Sequence, residues 1–190
     1  MKKYEFTGEV KVVFGITLHR IRAAVSFGVV VKGELGGWIE KEENLSQVGN
    51  AWVYDNAKVY GNAKVYDNAK VYGNAKVYGN AWVCGNAEVY GNAEVYGNAW
   101  VCGNAEVYGN AEVYGNAEVY GNADYIVFKN WWSSGRYFTW TRSNNKWRVG
   151  CFFGTGAELI AKAYKDSEQS GREYERVVKF VQSILEEEKQ

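Results

Sequence analysis

The chain has 190 residues, and its 22 lysines and arginines are balanced by 22 aspartates and glutamates beside a single histidine. A formal charge of zero supplies no global field for nucleic acid or a membrane surface, and no apolar run reaches the roughly 18 residues needed to cross a bilayer. Three cysteines, Cys84, Cys102 and Cys151, match neither a disulfide framework nor a zinc-ligand spacing.

Residues 1–46 are not repetitive. The start, Met1-Lys2-Lys3-Tyr4-Glu5-Phe6, lacks an apolar signal core, so a cytoplasmic location is expected. Apolar runs at 10–14 and 24–31 are broken by glycines and predict a β-rich lead-in with a short helical turn near 17–24. Its expected task is to cap the element that follows, because an uncovered first coil leaves strand edges free to pair. Asn44 stands 18 residues before Asn62, which places the start of the next pattern as early as Glu43.

Residues 47–124 carry the dominant signal. Between Gly49 and Ala123 the chain spells Gly/Asp-Asn-Ala 13 times, six residues apart and without insertion. A fixed short period decides architecture before local propensity does. The unit resembles the hexapeptide repeat of left-handed parallel β-helices, in which three hexapeptides form a triangular coil and residues 18 apart stack at roughly 4.8 Å. Val53, Val59, Val65, Ala57, Ala63, Ala69 and their successors are expected inside. Gly-Asn pairs belong at the corners, where left-handed backbone angles are needed. Asn62, Asn80, Asn98 and Asn116 fall in line as an amide ladder.

Residues 125–190 predict a C-terminal α+β cap. A strand at 125–130 precedes a hairpin of 136–142 with 146–153, turning at Ser143-Asn144-Asn145. Two helices follow, with capping-box spacing at Thr155/Glu158 and Ser170/Glu173. Val177, Val178, Phe180, Val181, Ile184 and Leu185 form the apolar stripe of the second helix. Trp131, Trp132, Trp140 and Trp147 are read as the core of this cap, with a ligand platform as the alternative.

Stacking by 18 sorts the outward positions into three faces. The first carries Lys64, Trp82, Trp100 and Glu118 beside Tyr66, Cys84, Cys102 and Tyr120. The second carries Trp52, Lys70, Glu88, Glu106 and Asp124, and the third Lys58, Lys76, Glu94 and Glu112, each beside a tyrosine row. The Trp/Cys block recurs at one coil's separation and so forms one apolar patch; duplication of an 18-residue block accounts for it equally well. Charge on this face is antisymmetric while shape is symmetric. A two-fold axis between the tryptophan rungs sets Lys64 against Glu118 of a second copy, so an antiparallel homodimer is expected. The acidic rows Glu88, Glu106 and Asp124, with Glu94 and Glu112, place like charges opposite one another. Either solvent screens them or a basic surface of a partner neutralises them.

Catalytic chemistry is not legible. Hexapeptide solenoids are best known as acyltransferases, which rely on histidine as general base, and here His19 lies outside the repeat. One histidine cannot make a three-histidine zinc site. No residues are assigned to catalysis, a metal or a cofactor. Nucleic acid is disfavoured because the lysines are few and spread over three faces.

Lys3-Tyr4-Glu5-Phe6-Thr7-Gly8-Glu9, the 33–46 segment from Gly33 to Ser46, the Val-Tyr-Gly-Asn-Ala array and 150–155 together resemble a protein family associated with bacteriophages and prophages. The resemblance implies a mobile-element protein acting in the bacterial host, and transfers no catalytic residue. The expected function is a non-enzymatic solenoid that binds a protein, such as a host factor or defence system. The alternatives are a self-assembling virion or scaffold component and an acyltransferase-like small-molecule binder.

Overall fold

A computed structural model describes residues 2–188. Twelve two-residue rungs run from Trp52–Val53 to Glu118–Val119 and stack into three parallel sheets. Each of the first nine pairs with the rung 18 residues on, as Val71 with Val89 and Val89 with Val107. Every rung valine and the alanine before it is at most 1% exposed, giving a thin Val/Ala core. Burial of each valine side chain contributes roughly 1.5–3 kcal/mol.

The corners follow from the glycines. Gly61, Gly73 and Gly91 have φ of +69°, +67° and +71°, the left-handed region that disfavours a side chain. Asp55 and Asp67 take the same position at +52° and +60°. Their Oδ2 atoms accept from Gly73 N at 3.1 Å and Gly85 N at 3.2 Å, one coil along. Amide ladders form at all three corners, exemplified by Asn50 to Asn68 at 3.0 Å, Asn56 to Asn74 at 3.0 Å and Asn62 to Asn80 at 3.1 Å.

The lead-in differs from its expected form. The segment read as a helical turn is strand β2 (Ile16–Ala23), paired antiparallel with β1 (Tyr4–Val13) through a turn in which Phe14 and Gly15 both have positive φ. β3 (Leu35–Ile39) pairs with β2 and, in parallel, with the Lys58–Val59 rung, so the cap is continuous with the third face. Ile39 pairs with Val59 and Leu45 with Val65, a spacing of 20. A 3-10 turn at Glu42–Asn44 lies within this longer coil. Asn44 is buried and donates to Gly61 O and Ala63 O at 3.1 and 2.8 Å, so it is a buried brace and not a ladder member. Trp52, expected on the second face, is fully buried with Phe27 and Tyr4 edge-on to its ring.

The solenoid ends one motif early. Asn122–Asp124 form a 3-10 turn, Ala123 is exposed, and Asn122 Oδ1 accepts from Glu106 N at 2.8 Å. Asp124 accordingly leaves the acidic row: its Oδ2 accepts from Tyr120 N and Gly121 N at 2.8 and 2.9 Å.

The C-terminal cap is a four-stranded antiparallel sheet under two helices. Strands Tyr125–Lys129, Tyr137–Thr141, Lys146–Val149 and Phe152–Gly154 pair in order. The expected 146–153 strand is split because Gly150 turns at φ +54°. Helix α1 (Gly156–Asp166) has its capping box, Thr155 with Glu158. Helix α2 (Glu168–Glu187) begins earlier than expected, because Ser167 caps Ser170 N at 3.1 Å. Gly171 is inside the helix, where a Cβ would overlap the Tyr164 ring. Trp140 and Trp147 are buried with Phe138, Leu159 and Val178, whereas Trp131 is 69% exposed and Phe180 53%.

Candidate functional site

The first face is a flat sheet of four rungs, Lys64, Trp82, Trp100 and Glu118 in order. Parallel in-register pairing puts identical side chains one above another, and the two indoles stack with centroids 5.0 Å apart and planes 1° from parallel. Lys64 Nζ lies 5.5 Å from the centroid of Trp82, and Tyr66 meets that ring edge-on at 6.0 Å. Each indole therefore spends a ring face on its neighbour and offers its edge outward. Trp100 is 39% exposed, and Glu118 and Tyr120 beyond it are open to solvent.

Cys84 and Cys102 occupy adjacent rungs with Cα atoms 4.5 Å apart and are joined by a disulfide. The parallel sheet spacing falls within the Cα range a disulfide requires. The three cysteines match no disulfide framework in sequence, yet the 18-residue period brings Cys84 and Cys102 together on adjacent coils, and there they are bonded. Both residues are buried. They staple the two coils that carry the tryptophans.

The acidic rows are neutralised in part from within the chain. Glu88 pairs with Lys70 at 2.9 Å and Glu94 with Lys76 at 2.7 Å. Glu112 pairs with Arg148 of the C-terminal cap at 3.1 Å. Tyrosine hydroxyls 16 residues earlier donate to the same carboxylates, Tyr72 to Glu88 at 2.8 Å, Tyr78 to Glu94 at 2.9 Å and Tyr96 to Glu112 at 2.7 Å. Glu106 receives Tyr90 at 3.1 Å and enters no ion pair among the described residues. The tyrosines themselves stack, Tyr60 on Tyr78 at 5.0 Å and Tyr72 on Tyr90 at 4.7 Å. The Lys70 hydrogen bond holds the Glu88 carboxyl below its ordinary range. Burial, reinforced by Glu94, pushes the Tyr60 phenol up to about 12. These Tyr–Glu bonds were not foreseen, although the constant 16-residue offset between the two rows is written in the repeat.

His19 stacks on Phe6 at 4.8 Å in the N-terminal cap, remote in sequence from the tryptophan face. Among the described residues no group of three or more histidine, cysteine or acidic side chains is placed to hold a metal. No described helix is long and apolar enough to cross a membrane.

The coil matches a known repeat family. The YdcK Beta solenoid repeat matches residues 69–85 and 87–103. The shared feature is the β-solenoid repeat. The protein named uncharacterized acetyltransferase YdcK, from Escherichia coli (strain K12), is 45% identical over 40 residues. That stretch is 21% of this chain and 12% of the relative's length. The matched repeats lie in the solenoid.

Proposed function

We propose that the chain is a non-catalytic binding solenoid whose working surface is the tryptophan face, occupied by a second copy of itself in an antiparallel two-fold arrangement. The observation that carries this reading is the stacked Trp82/Trp100 pair, Trp82 half-buried and Trp100 exposed, bracketed by Lys64 on one side and Glu118 on the other. The two-fold axis sets Trp82 against Trp100 and each Lys64 against Glu118 of the other copy, an isologous contact. Parallel packing sets like charges together instead. Indole-rich centres with a charged rim are the usual anatomy of a protein interface. Replacing Trp82 and Trp100 by serine tests it by light scattering: wild type runs as a dimer and the variant as a monomer. A monomeric wild type contradicts the reading.

The finer role, capture of a basic surface on a host protein, belongs to the second face. There Glu106 stands outside the internal ion pairs, which supports that face over the third, where Arg148 already occupies Glu112. Capture from bacterial lysate with wild-type and Glu106→Lys baits tests it; one stoichiometric partner is held by the first and lost by the second.

The name of the E. coli relative favours a second reading, an acyltransferase-like role. Calorimetry with acetyl-CoA decides it. Micromolar binding favours transfer chemistry, and no heat favours the binding solenoid.

A further inference from the structure

One cavity belongs to none of these surfaces. In the C-terminal cap, the 130–136 loop, Cys151 and the junction of α1 and α2 line a cleft of about 580 Å³. That size falls within the range of small-molecule sites. Val149, Phe152 and Leu159 supply an apolar wall. Opposite them lie Asn130 and Tyr174, 2% and 8% exposed, with Asn130 Nδ2 donating to the Tyr174 hydroxyl at 3.3 Å. The phenol proton has no acceptor among the described residues, and burial holds the phenol above its ordinary range, so it remains a donor at neutral pH.

Two cations line the same space. Arg136 enters no ion pair among the described residues. Lys162 has a 3.7 Å contact with Asp166, which lines the cleft as well; both are well exposed, and such pairs hold a side chain weakly. The exposed thiol of Cys151 is at the rim. We infer that this cleft binds a small organic anion, its carboxylate or phosphate head on Arg136 and Lys162 and its apolar body against Val149, Phe152 and Leu159.

Cys151 provides the readout, because Cys84 and Cys102 are joined to each other. Iodoacetamide alkylates the thiolate with loss of iodide, and mass spectrometry of the Cys151 peptide gives the rate. Phenyl phosphate, benzoate and neutral benzamide are added as competitors. The cleft predicts that at least one anion slows alkylation saturably, by about tenfold, a modest effect for a focused charge site. Benzamide leaves the rate unchanged, and Arg136→Gln/Lys162→Gln abolishes the protection. Protection by one anion alone identifies the head group. No saturable protection, equal protection by benzamide, or protection that survives in the double variant overturns the inference. Should the double variant misfold by circular dichroism, the contrast between anions and benzamide in the wild type decides alone.

Discussion

Glycine at each corner meets two demands, a left-handed turn and a neighbouring coil close above it. Gly91 and Gly109 separate them. Both have φ near +70°, at +71° and +67°, but a Cβ on Gly91 meets Gly109 N at 3.1 Å, while one on Gly109 meets nothing within 4 Å. The left-handed conformation costs an alanine about 1–2 kcal/mol at either site. Gly91→Ala is therefore expected to lose more stability than Gly109→Ala in urea unfolding; equal losses would show that stacking adds nothing. Titration supplies a second test at this scale. Lys3, buried with its Nζ on Ala51 O at 2.9 Å, is held down to about 8 by desolvation. The unfolded chain binds the extra proton between that value and the ordinary 10.5 of a lysine, so this residue adds stability as pH rises through that window. The phenols have the opposite sign. Burial raises Tyr60 and Tyr125 to about 12 from 10.0, so their contribution is present below pH 10 and lost as pH climbs toward 12. Urea midpoints across pH 7–12 should rise slightly and then fall steeply above 10. A flat profile above 10 contradicts the buried tyrosine rows.

At the scale of elements, the two caps solve opposite problems. Rung N–H groups donate toward the next coil, so free carbonyls are left at the first coil and free N–H groups at the last. Lys3 Nζ and the Tyr4 hydroxyl supply donors at one end, to Ala51 O at 2.9 Å and Leu45 O at 2.8 Å. Asn122 Oδ1, Thr139 Oγ1 and Ser143 Oγ supply acceptors at the other, to Glu106, Glu112 and Glu118 N at 2.8, 2.9 and 2.7 Å. Edges closed this way cannot template another chain. Thr139 is 2% exposed, so Thr139→Val strands the Glu112 N–H and is expected to cost about 1–3 kcal/mol. Ser143→Ala, at an exposed bond, should cost much less; hydrogen exchange at Glu112 should quicken in the first variant alone. None of this capping was legible in the repeat, because each bond joins a periodic residue to an aperiodic one. The same cause hid Trp52 beneath Phe27 and Tyr4, and turned the expected 17–24 helical turn into a strand that extends the third face.

Over the whole molecule, the period of 18 carried most of what sequence could say. It sorted Lys64, Trp82, Trp100 and Glu118 onto one sheet, and Lys58, Lys76, Glu94 and Glu112 onto another, as the structure has them. It failed at the ends, where the first coil spans 20 residues at Ile39/Val59 and the chain leaves the prism at Asn122. The acidic rows were read as bare because side-chain reach across columns, Tyr72 to Glu88 and Arg148 to Glu112, is invisible when each column is read alone. With those carboxylates engaged inside the chain, the tryptophan face is the surface we propose for self-association. Charge reversal tests its antiparallel geometry most directly. Light scattering on Lys64→Glu, Glu118→Lys and the double exchange should give a dimer that each single change weakens and the double change restores. A dimer indifferent to both single changes, or a double variant no better than either, would contradict the two-fold contact.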